Sequence, residues 1–181
     1  MRKKLGIRDI IYSSLMAAVT SILGYLVIPL PFTPIPITGQ SLAVMIAGCV
    51  LTPAQAALSM LIFLLLGCAG IPVFSGGRSG IGIIVGKSGG YFLGYLIGVV
   101  IISVLSHRKQ SFVNMFLACV LGGIVIVHFL GAGWLGFITN VGIKKAFVLG
   151  SLPFIPGDLL KAVVAAFISL RLNKEMRRHL H

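Results

Sequence analysis

FIPGDLLKAVVAAFISLR (Phe154–Arg171) is an apolar run that carries two opposite charges near its start, Asp158 and Lys161. At a spacing of three, the two side chains share one face of a helix. Ionisable groups inside a hydrophobic span cost about 2.5–3.5 kcal/mol each, so they tend to be paired and to face a protein interior or a cavity. We therefore expect a binding site at this turn. A salt bridge that only pins the helix against a neighbour is the alternative.

The composition is that of an integral membrane protein. Of the 181 residues, 57% are hydrophobic and 10% are charged, and the mean hydropathy is +1.08. The net charge of +12 does not indicate nucleic-acid binding, because the cations gather at the ends of apolar runs. Membrane orientation and anionic lipid headgroups explain them there. Residues 1–181 are interpreted as a single membrane-embedded domain.

Apolar segments predict an all-α protein with six transmembrane helices, since a helix needs about 20 residues to cross a bilayer. Gly131–Leu152 is more mixed and is interpreted as an interfacial stretch with Trp134 as an aromatic anchor. Helix 6 begins behind Pro153 and Pro156 and ends at Arg171. The five segments before it are Ile10–Ile28, Ile37–Leu51, Ala54–Gly70, Tyr91–Ser106 and Phe112 to about Leu130.

A glycine-rich loop, Ile71–Gly90, separates helices 3 and 4 and has seven glycines among twenty residues. It is not a phosphate-binding loop, because a motif that ends in Gly86-Lys87-Ser88 would need its first glycine at Ile81. A loop of this length is usually a lid, a binding loop or disordered. Since it retains several large apolar residues, we expect a folded lid.

The distribution of cations predicts the orientation in the membrane. Six spans place both termini on one side, and ten cations on that side against four on the other make the termini cytoplasmic. Gln40, Tyr91, the glycine-rich loop and the Asp158/Lys161 turn then fall in the outer half, where one outward-facing pocket would collect them. The ten are Arg2, Lys3, Lys4, Arg8, Arg108, Lys109, Arg171, Lys174, Arg177 and Arg178, and the four are Arg78, Lys87, Lys144 and Lys145.

Neither a catalytic centre nor a metal site is predicted. The chain has three acidic residues, and no nucleophile, base or metal-ligand set stands at a recognisable spacing. His128 has no acid or second histidine near it in the sequence, so it is interpreted as a satisfied core residue. We expect no cofactor.

The first helix carries small residues at four-residue spacing, Ser13, Ala17 and Ser21. Such a stripe lets another helix approach closely. Docking of a partner subunit and packing against the protein's own bundle are equally open interpretations of it.

Three stretches of the sequence are distinctive, TPIPITGQSLAVMIAG (Thr33–Gly48), GIPVFSGGRSGIGIIVGKSGGYFLGY (Gly70–Tyr95) and PFIPGDLLKAVVAA (Pro153–Ala166). Together they resemble the BioY family, the biotin-specific S components of energy-coupling factor (ECF) vitamin transporters. The resemblance runs from helix 1 to helix 6, and its most specific parts are PGDLLK and GGRSG. It implies a bacterial membrane protein that captures biotin from outside and docks on one transmembrane coupling protein and two cytoplasmic ATPases.

The resemblance also implies a set of substrate-binding residues by position. Biotin's ureido ring presents two N–H donors that suit a carboxylate and a carbonyl that suits a cation or an amide. Its valerate carboxylate suits Arg78 or Lys87. The implied substrate-binding residues are Asp158, Lys161, Gln40, Arg78 and Tyr91.

One feature departs from the pattern of the family. The family's first helix has an alanine-based AxxxA docking stripe, and one of its positions is Ser13 here, opposite Ala17. The function expected is biotin capture and reorientation without covalent chemistry. The alternatives are an S component for another small vitamin and a membrane-embedded enzyme or helper protein that uses Asp158 as its acid.

Overall fold

The structure, a computed structural model, describes residues 6–178, apart from the side chain of Arg177. Arg2, Lys3 and Lys4 of the charge count lie outside the described residues. The predicted all-α class is confirmed, since the only strands described pair two residues each. In chain order the elements are α1 (Ile7–Leu23), β1 (Val27–Ile28), β2 (Ile37–Thr38), α2 (Gln40–Val50), α3 (Pro53–Cys68), α4 (Ile81–Val85), α5 (Gly89–Ser106), α6 (Phe112–Ala118), a π-helical segment (Cys119–Ile126), α7 (Val127–Thr139), α8 (Ile143–Gly150) and α9 (Ile155–Arg178).

Several helices are long and apolar enough to cross a membrane. Within the described part, these are Gly89–Ser106 and the continuous helix Phe112–Thr139. The pair Ile143–Gly150 and Ile155–Met176, bent by 53°, makes a third if it is counted as one span. The helices α2 and α3 are apolar but shorter. The chain is thus a membrane protein, and the number of six spans stays a prediction.

Polar side chains show which helix ends meet. Ser103 Oγ donates to the carbonyl of Leu51 at 2.6 Å, and Asn173 Nδ2 donates to the carbonyl of Cys49 at 3.0 Å. These bonds bring the C-terminal ends of α2, α5 and α9 together. The opposite end of the bundle therefore carries the N-terminal ends of the same three helices, where the glycine-rich loop also lies.

The first helix is shorter than predicted. It ends at Leu23 instead of Ile28, and the chain then turns at Gly24. Val27 and Ile28 pair antiparallel with residues 37–38 to form a two-stranded ribbon, β1–β2. The proline-containing chain between the strands is thus the loop of this ribbon, which lies at the N-terminal end of α2.

The fifth helix does not end near Leu130 as predicted, and Gly131–Leu152 contains helices. The interfacial position of this segment stays a prediction. The helix α7 continues to Thr139, and α8 follows a turn in which Asn140 and Gly142 have φ of 53° and 83°. Gly131 lies inside α7, and this position requires glycine because the ring of Tyr91 occupies the space that a Cβ would need. A glycine that breaks a helix in an isolated sequence is here the residue that permits close packing.

The glycine-rich loop is folded onto the bundle. Phe74 is fully buried, and its ring centroid lies 5.5 Å from that of Phe63 and 4.7 Å from that of Phe92. Trp134 donates its indole N–H to the carbonyl of Gly86 at 2.9 Å, just after α4. Its role as an anchor at the membrane interface stays a prediction. Both ends of the loop are therefore attached to helices. Its movement as a lid stays a prediction.

Glycines on α5 let the continuous helix Phe112–Thr139 approach its backbone. A Cβ at Gly94 would lie 2.8 Å from the Cα of Val127, and a Cβ at Gly98 would overlap the carbonyl oxygen of Gly122. Backbone atoms cannot yield as a flexible side chain can. The two helices therefore need glycine at both positions of α5.

Gly98→Ala is expected to lower the free energy of unfolding of the purified protein by about 1–3 kcal/mol, the usual cost of overpacking. The measurement is the unfolding midpoint in detergent, followed by circular dichroism. Gly133→Ala on α7 is the control, because a Cβ there would have no neighbour within 4 Å. Equal midpoints for the two variants would contradict the close crossing at Gly98.

Candidate ligand-binding site

A cavity of about 520 Å³, its open mouth included, lies where the ribbon and the N-terminal ends of α2, α5 and α9 meet. We call it the Asp158 cavity. Four of the five predicted substrate-binding residues line it, and Arg78 does not. The polar lining residues are Thr38, Gln40, Ser41, Ser75, Ser88, Tyr91, Tyr95, His128, Asp158 and Lys161.

The carboxylate of Asp158 is the centre of the polar contacts in this cavity. Its Oδ1 accepts from Ser41 Oγ at 2.9 Å and from Lys161 Nζ at 2.8 Å, and its Oδ2 lies 2.9 Å from His128 Nε2. Asp158 is only 6% exposed. It stands in the first turn of α9, where the helix dipole favours a negative charge. A buried carboxylate is stable here because several donors and this dipole surround it.

Lys161 uses all three of its N–H donors on the protein. Besides Asp158, its Nζ donates to Ser41 Oγ at 2.9 Å and to the carbonyl of Thr38 at 2.8 Å. The ion pair thus ties α9 to α2 and to the ribbon, which is what a structural strut would do. It also lines the cavity, so the strut and the binding site are not exclusive. Since a carboxylate has about four lone-pair sites, Asp158 retains capacity for a further donor.

Gln40 and Tyr91 hold the walls of the cavity in place. Gln40 Nε2 donates to the carbonyl of Val73 at 3.2 Å, and its Oε1 accepts from Ser75 Oγ at 2.9 Å. The hydroxyl of Tyr91 donates to the carbonyl of Gly150 at 2.6 Å. Gln40 therefore joins α2 to the glycine-rich loop, and Tyr91 joins α5 to the end of α8.

Arg78 lies in the glycine-rich loop next to the Asp158 cavity. Its side chain is exposed, and its Nε donates to the carbonyl of Ser75 at 3.0 Å. It lines a neighbouring cavity that shares Pro36 and Ser75 with the Asp158 cavity. The structure thus places this guanidinium outside the site proper, near its mouth.

His128 is buried, as predicted, but its contact with Asp158 was not predicted from the sequence. It lies on α7, thirty positions before Asp158, and only the packing of α7 against the start of α9 brings their side chains together. Ser41, 117 positions from Asp158, was missed for the same reason. The position of Tyr95 beside the cavity could have been predicted from the sequence, because Tyr95 follows Tyr91 by one helical turn.

The small-residue stripe of α1 mostly faces the protein's own bundle. Ser13 is fully buried and donates to the carbonyl of Gln55 on α3 at 3.0 Å, and Ala17 is 1% exposed. Ser21 is half-buried, whereas Ala18 beside the stripe is exposed. Ser13 and Ala17 therefore pack within the chain, and the docking of a partner on α1 stays a prediction.

Comparison with known proteins agrees with this architecture. The model of the BioY family matches residues 1–178. "Biotin transporter BioY" of Rhizobium etli is 43% identical over 170 residues, which cover 89% of this chain and 90% of that protein. "Probable biotin transporter BioY" of Bacillus subtilis is 36% identical over 171 residues, which cover 93% and 91%.

A solved structure shares the fold. It is described as the S-component for biotin from an ECF-type ABC transporter, and it matches this chain with a TM-score of 0.88 and 34% sequence identity. The match covers 96% of this chain and 95% of that one. The family match, the identities and the shared fold extend over almost the whole chain, which therefore belongs to the BioY family.

Proposed function

We propose that this chain binds biotin in the Asp158 cavity and delivers it inward as the S component of an ECF-type transporter. The observation that carries the proposal is the buried, multiply bonded carboxylate of Asp158 in the wall of a cavity with many polar lining residues. Relatives named as biotin transporters, similar over about nine-tenths of the chain, support biotin as the ligand.

The polar groups of the cavity suit the two ends of biotin. Asp158 accepts a ureido N–H with its remaining lone pairs, and hydroxyl groups of the lining, such as that of Tyr95, donate to the ureido carbonyl. Lys161, whose donors are all engaged, neutralises the carboxylate instead of contacting the ligand. Arg78 at the mouth meets the valerate carboxylate. Phe92 and Phe154 supply apolar wall for the thioether ring.

We extend the proposal to the orientation in a bacterial cell membrane. Six spans would leave both termini in the cytoplasm and the Asp158 cavity facing outward, and the excess of cations near the termini supports this. The whole chain then acts as one membrane-embedded binding domain. The glycine-rich loop closes over biotin before the protein reorients.

Active transport would require partner subunits. We propose a transmembrane coupling protein and two ATPases, because the sequence has no phosphate-binding motif and the similar solved structure is a component of an ECF-type ABC transporter. Their co-purification with this chain from a bacterial membrane would support the proposal. Isolation of the chain without them from cells that contain an ECF module would contradict it.

Titration of the purified chain with biotin tests the binding function. We expect sub-micromolar binding of unchanged biotin in detergent, and the same binding at the outer face of right-side-out vesicles. Isothermal titration calorimetry measures binding in detergent, and radiolabelled biotin measures binding to the vesicles. Binding confined to inside-out vesicles would overturn the orientation.

The same titration distinguishes biotin binding from the two alternatives, the binding of another small vitamin and the action of a membrane-embedded enzyme or helper protein. Preferential binding of another small vitamin would show a different ligand on the same scaffold. Chemical conversion of a ligand by the isolated chain would instead indicate an enzyme that uses Asp158 as its acid. Biotin has more support than either, because the relatives reported above are named as biotin transporters.

A further inference from the structure

The two oxygens of the Asp158 carboxylate are held differently. Oδ1 accepts from Ser41 Oγ and from Lys161 Nζ, whereas Oδ2 has His128 Nε2 as its one hydrogen-bond partner in the described part of the chain. Donors on Oδ1 alone do not fix where Oδ2 lies, because an aspartate carboxylate turns easily about its bond to Cβ. His128 is therefore the residue that fixes the position of Oδ2.

The same contacts leave one acceptor site of the carboxylate open. A carboxylate has about four lone-pair sites, shared equally by its two oxygens. Ser41 and Lys161 use both sites of Oδ1, and His128 uses one site of Oδ2. Because Asp158 lines the Asp158 cavity, an N–H of a ligand there finds its open acceptor on Oδ2. This is the oxygen that His128 holds.

The imidazole ring of His128 is packed against two aromatic rings. The ring centroid of Tyr91 lies 6.2 Å away, with the planes at 86°, and that of Phe154 lies 6.0 Å away, with the planes at 28°. Tyr91 is itself anchored by the hydrogen bond from its hydroxyl to Gly150. Since only 7% of His128 is exposed, its ring has little freedom to move. His128 can therefore support Asp158 as a rigid donor.

The proton of the neutral ring lies on Nε2. This nitrogen is 2.9 Å from Oδ2 of Asp158, and an ionised carboxylate only accepts hydrogen bonds. The other nitrogen, Nδ1, is buried without a hydrogen-bond partner among the described residues. Buried N–H groups without an acceptor are rarer in proteins than acceptors without a donor, so Nδ1 is the unprotonated nitrogen. His128 thus has one donor, and Asp158 uses it.

We propose that His128 is a positioning residue for ligand binding, which fixes the carboxylate of Asp158 so that Oδ2 meets an N–H of the ligand. This role rests on the proposed function, in which the ligand is biotin and the N–H belongs to its ureido ring. His128 acts through Asp158 and makes no hydrogen bond to the ligand, because its Nε2 is engaged and its Nδ1 is buried. Without His128, the carboxylate turns and no longer presents Oδ2 at one place.

His128→Leu is expected to weaken biotin binding by about tenfold, the lower end of what a hydrogen bond to a charged group contributes. Leucine packs against the rings of Tyr91 and Phe154 but has no donor. His128→Gln should recover most of the lost affinity, because the amide N–H of glutamine reaches the position of Nε2 and can donate to Oδ2. Isothermal titration calorimetry of the full chain in detergent measures both variants.

His107→Leu is the matched control for this substitution. His107 is exposed at the C-terminal end of α5, away from the Asp158 cavity, and its Nδ1 lies 2.8 Å from the carbonyl oxygen of Ser103. Its replacement should leave the affinity for biotin unchanged. Equal losses of affinity in His107→Leu and His128→Leu would overturn the proposal, because the loss would then not depend on contact with Asp158.

A double-mutant cycle separates the support of Asp158 from a direct contact with the ligand and from a general loosening of the cavity wall. The Asp158→Asn protein lacks the charged acceptor, so the further change His128→Leu should weaken binding by less than about threefold. A direct contact or a loosened wall would instead give the same loss of affinity with either residue at position 158.

The thermal unfolding midpoint without biotin shows whether each variant is folded. Should His128→Leu not fold, His128→Asn replaces it, because the amide of asparagine is too short to reach Asp158. The proposal would be overturned by a folded variant without the donor that binds biotin as tightly as the wild type. A loss that persists undiminished in the Asp158→Asn protein, or that His128→Gln does not relieve, would also overturn it. A wild-type chain that does not bind biotin would overturn the proposed function, and this role with it.

Discussion

Asp158→Asn is expected to weaken biotin binding by about 10- to 100-fold while the folded yield stays near that of the wild type. Asparagine keeps the shape of the side chain and removes the charge that a ureido N–H would meet. A hydrogen bond to a charged group is worth about 1.5–3 kcal/mol, which corresponds to this loss of affinity. Lys161 retains the carbonyl of Thr38 and Ser41 Oγ as acceptors in the variant, which limits the cost to stability.

Calorimetric titration and the yield of monodisperse protein measure the two effects separately. Glu175→Gln is the matched control on the same helix, because Glu175 pairs with Arg178 at the same spacing of three and at 2.8 Å. Their side chains are 55% and 62% exposed, so the loss of this pair should change neither quantity.

Comparison of Lys161→Ala with Asp158→Asn shows whether the Asp158–Lys161 pair belongs to a binding site or only holds the helices together as a strut. Breaking a buried ion pair typically costs about 3–5 kcal/mol. If Asp158→Asn and Lys161→Ala both abolish folding, the pair acts as a strut. A folded Asp158→Asn protein with wild-type affinity for biotin would remove Asp158 from the proposed site.

Phe74→Ala is expected to lower the free energy of unfolding by about 3–5 kcal/mol, the usual cost of deleting a buried aromatic side chain. Phe74 is 0% exposed and anchors the first half of the glycine-rich loop against Phe63 and Phe92. Gly67 of α3 provides the space for its ring. Because Gln40 and Ser75 connect this loop to the Asp158 cavity, the variant should also bind biotin more weakly.

Thermal unfolding in detergent, with and without biotin, measures both consequences. Phe32→Ala is the control, since Phe32 is 55% exposed in the loop of the ribbon. A Phe74→Ala protein as stable as Phe32→Ala would show that the loop does not depend on this anchor.

Local features of the sequence determined the class of the protein and the position of its candidate site. Apolar runs interrupted by prolines and basic turns suffice for an all-α membrane protein, because the bilayer constrains element length directly. The Asp158/Lys161 pair follows from helix geometry alone, and the structure has their side chains 2.8 Å apart. Four of the five predicted substrate-binding residues line one cavity, because they all belong to the same end of the bundle.

Only the tertiary structure decided which partners complete that site and which faces are buried. His128 and Ser41 reach Asp158 from other helices, and no spacing along the chain encodes such a contact. The same holds for Ser13, which faces α3, and for Gly131, beside which a tyrosine ring occupies the space that a Cβ would need. Hydropathy and periodicity describe one segment at a time, whereas the neighbour of each face is set by how the helices pack.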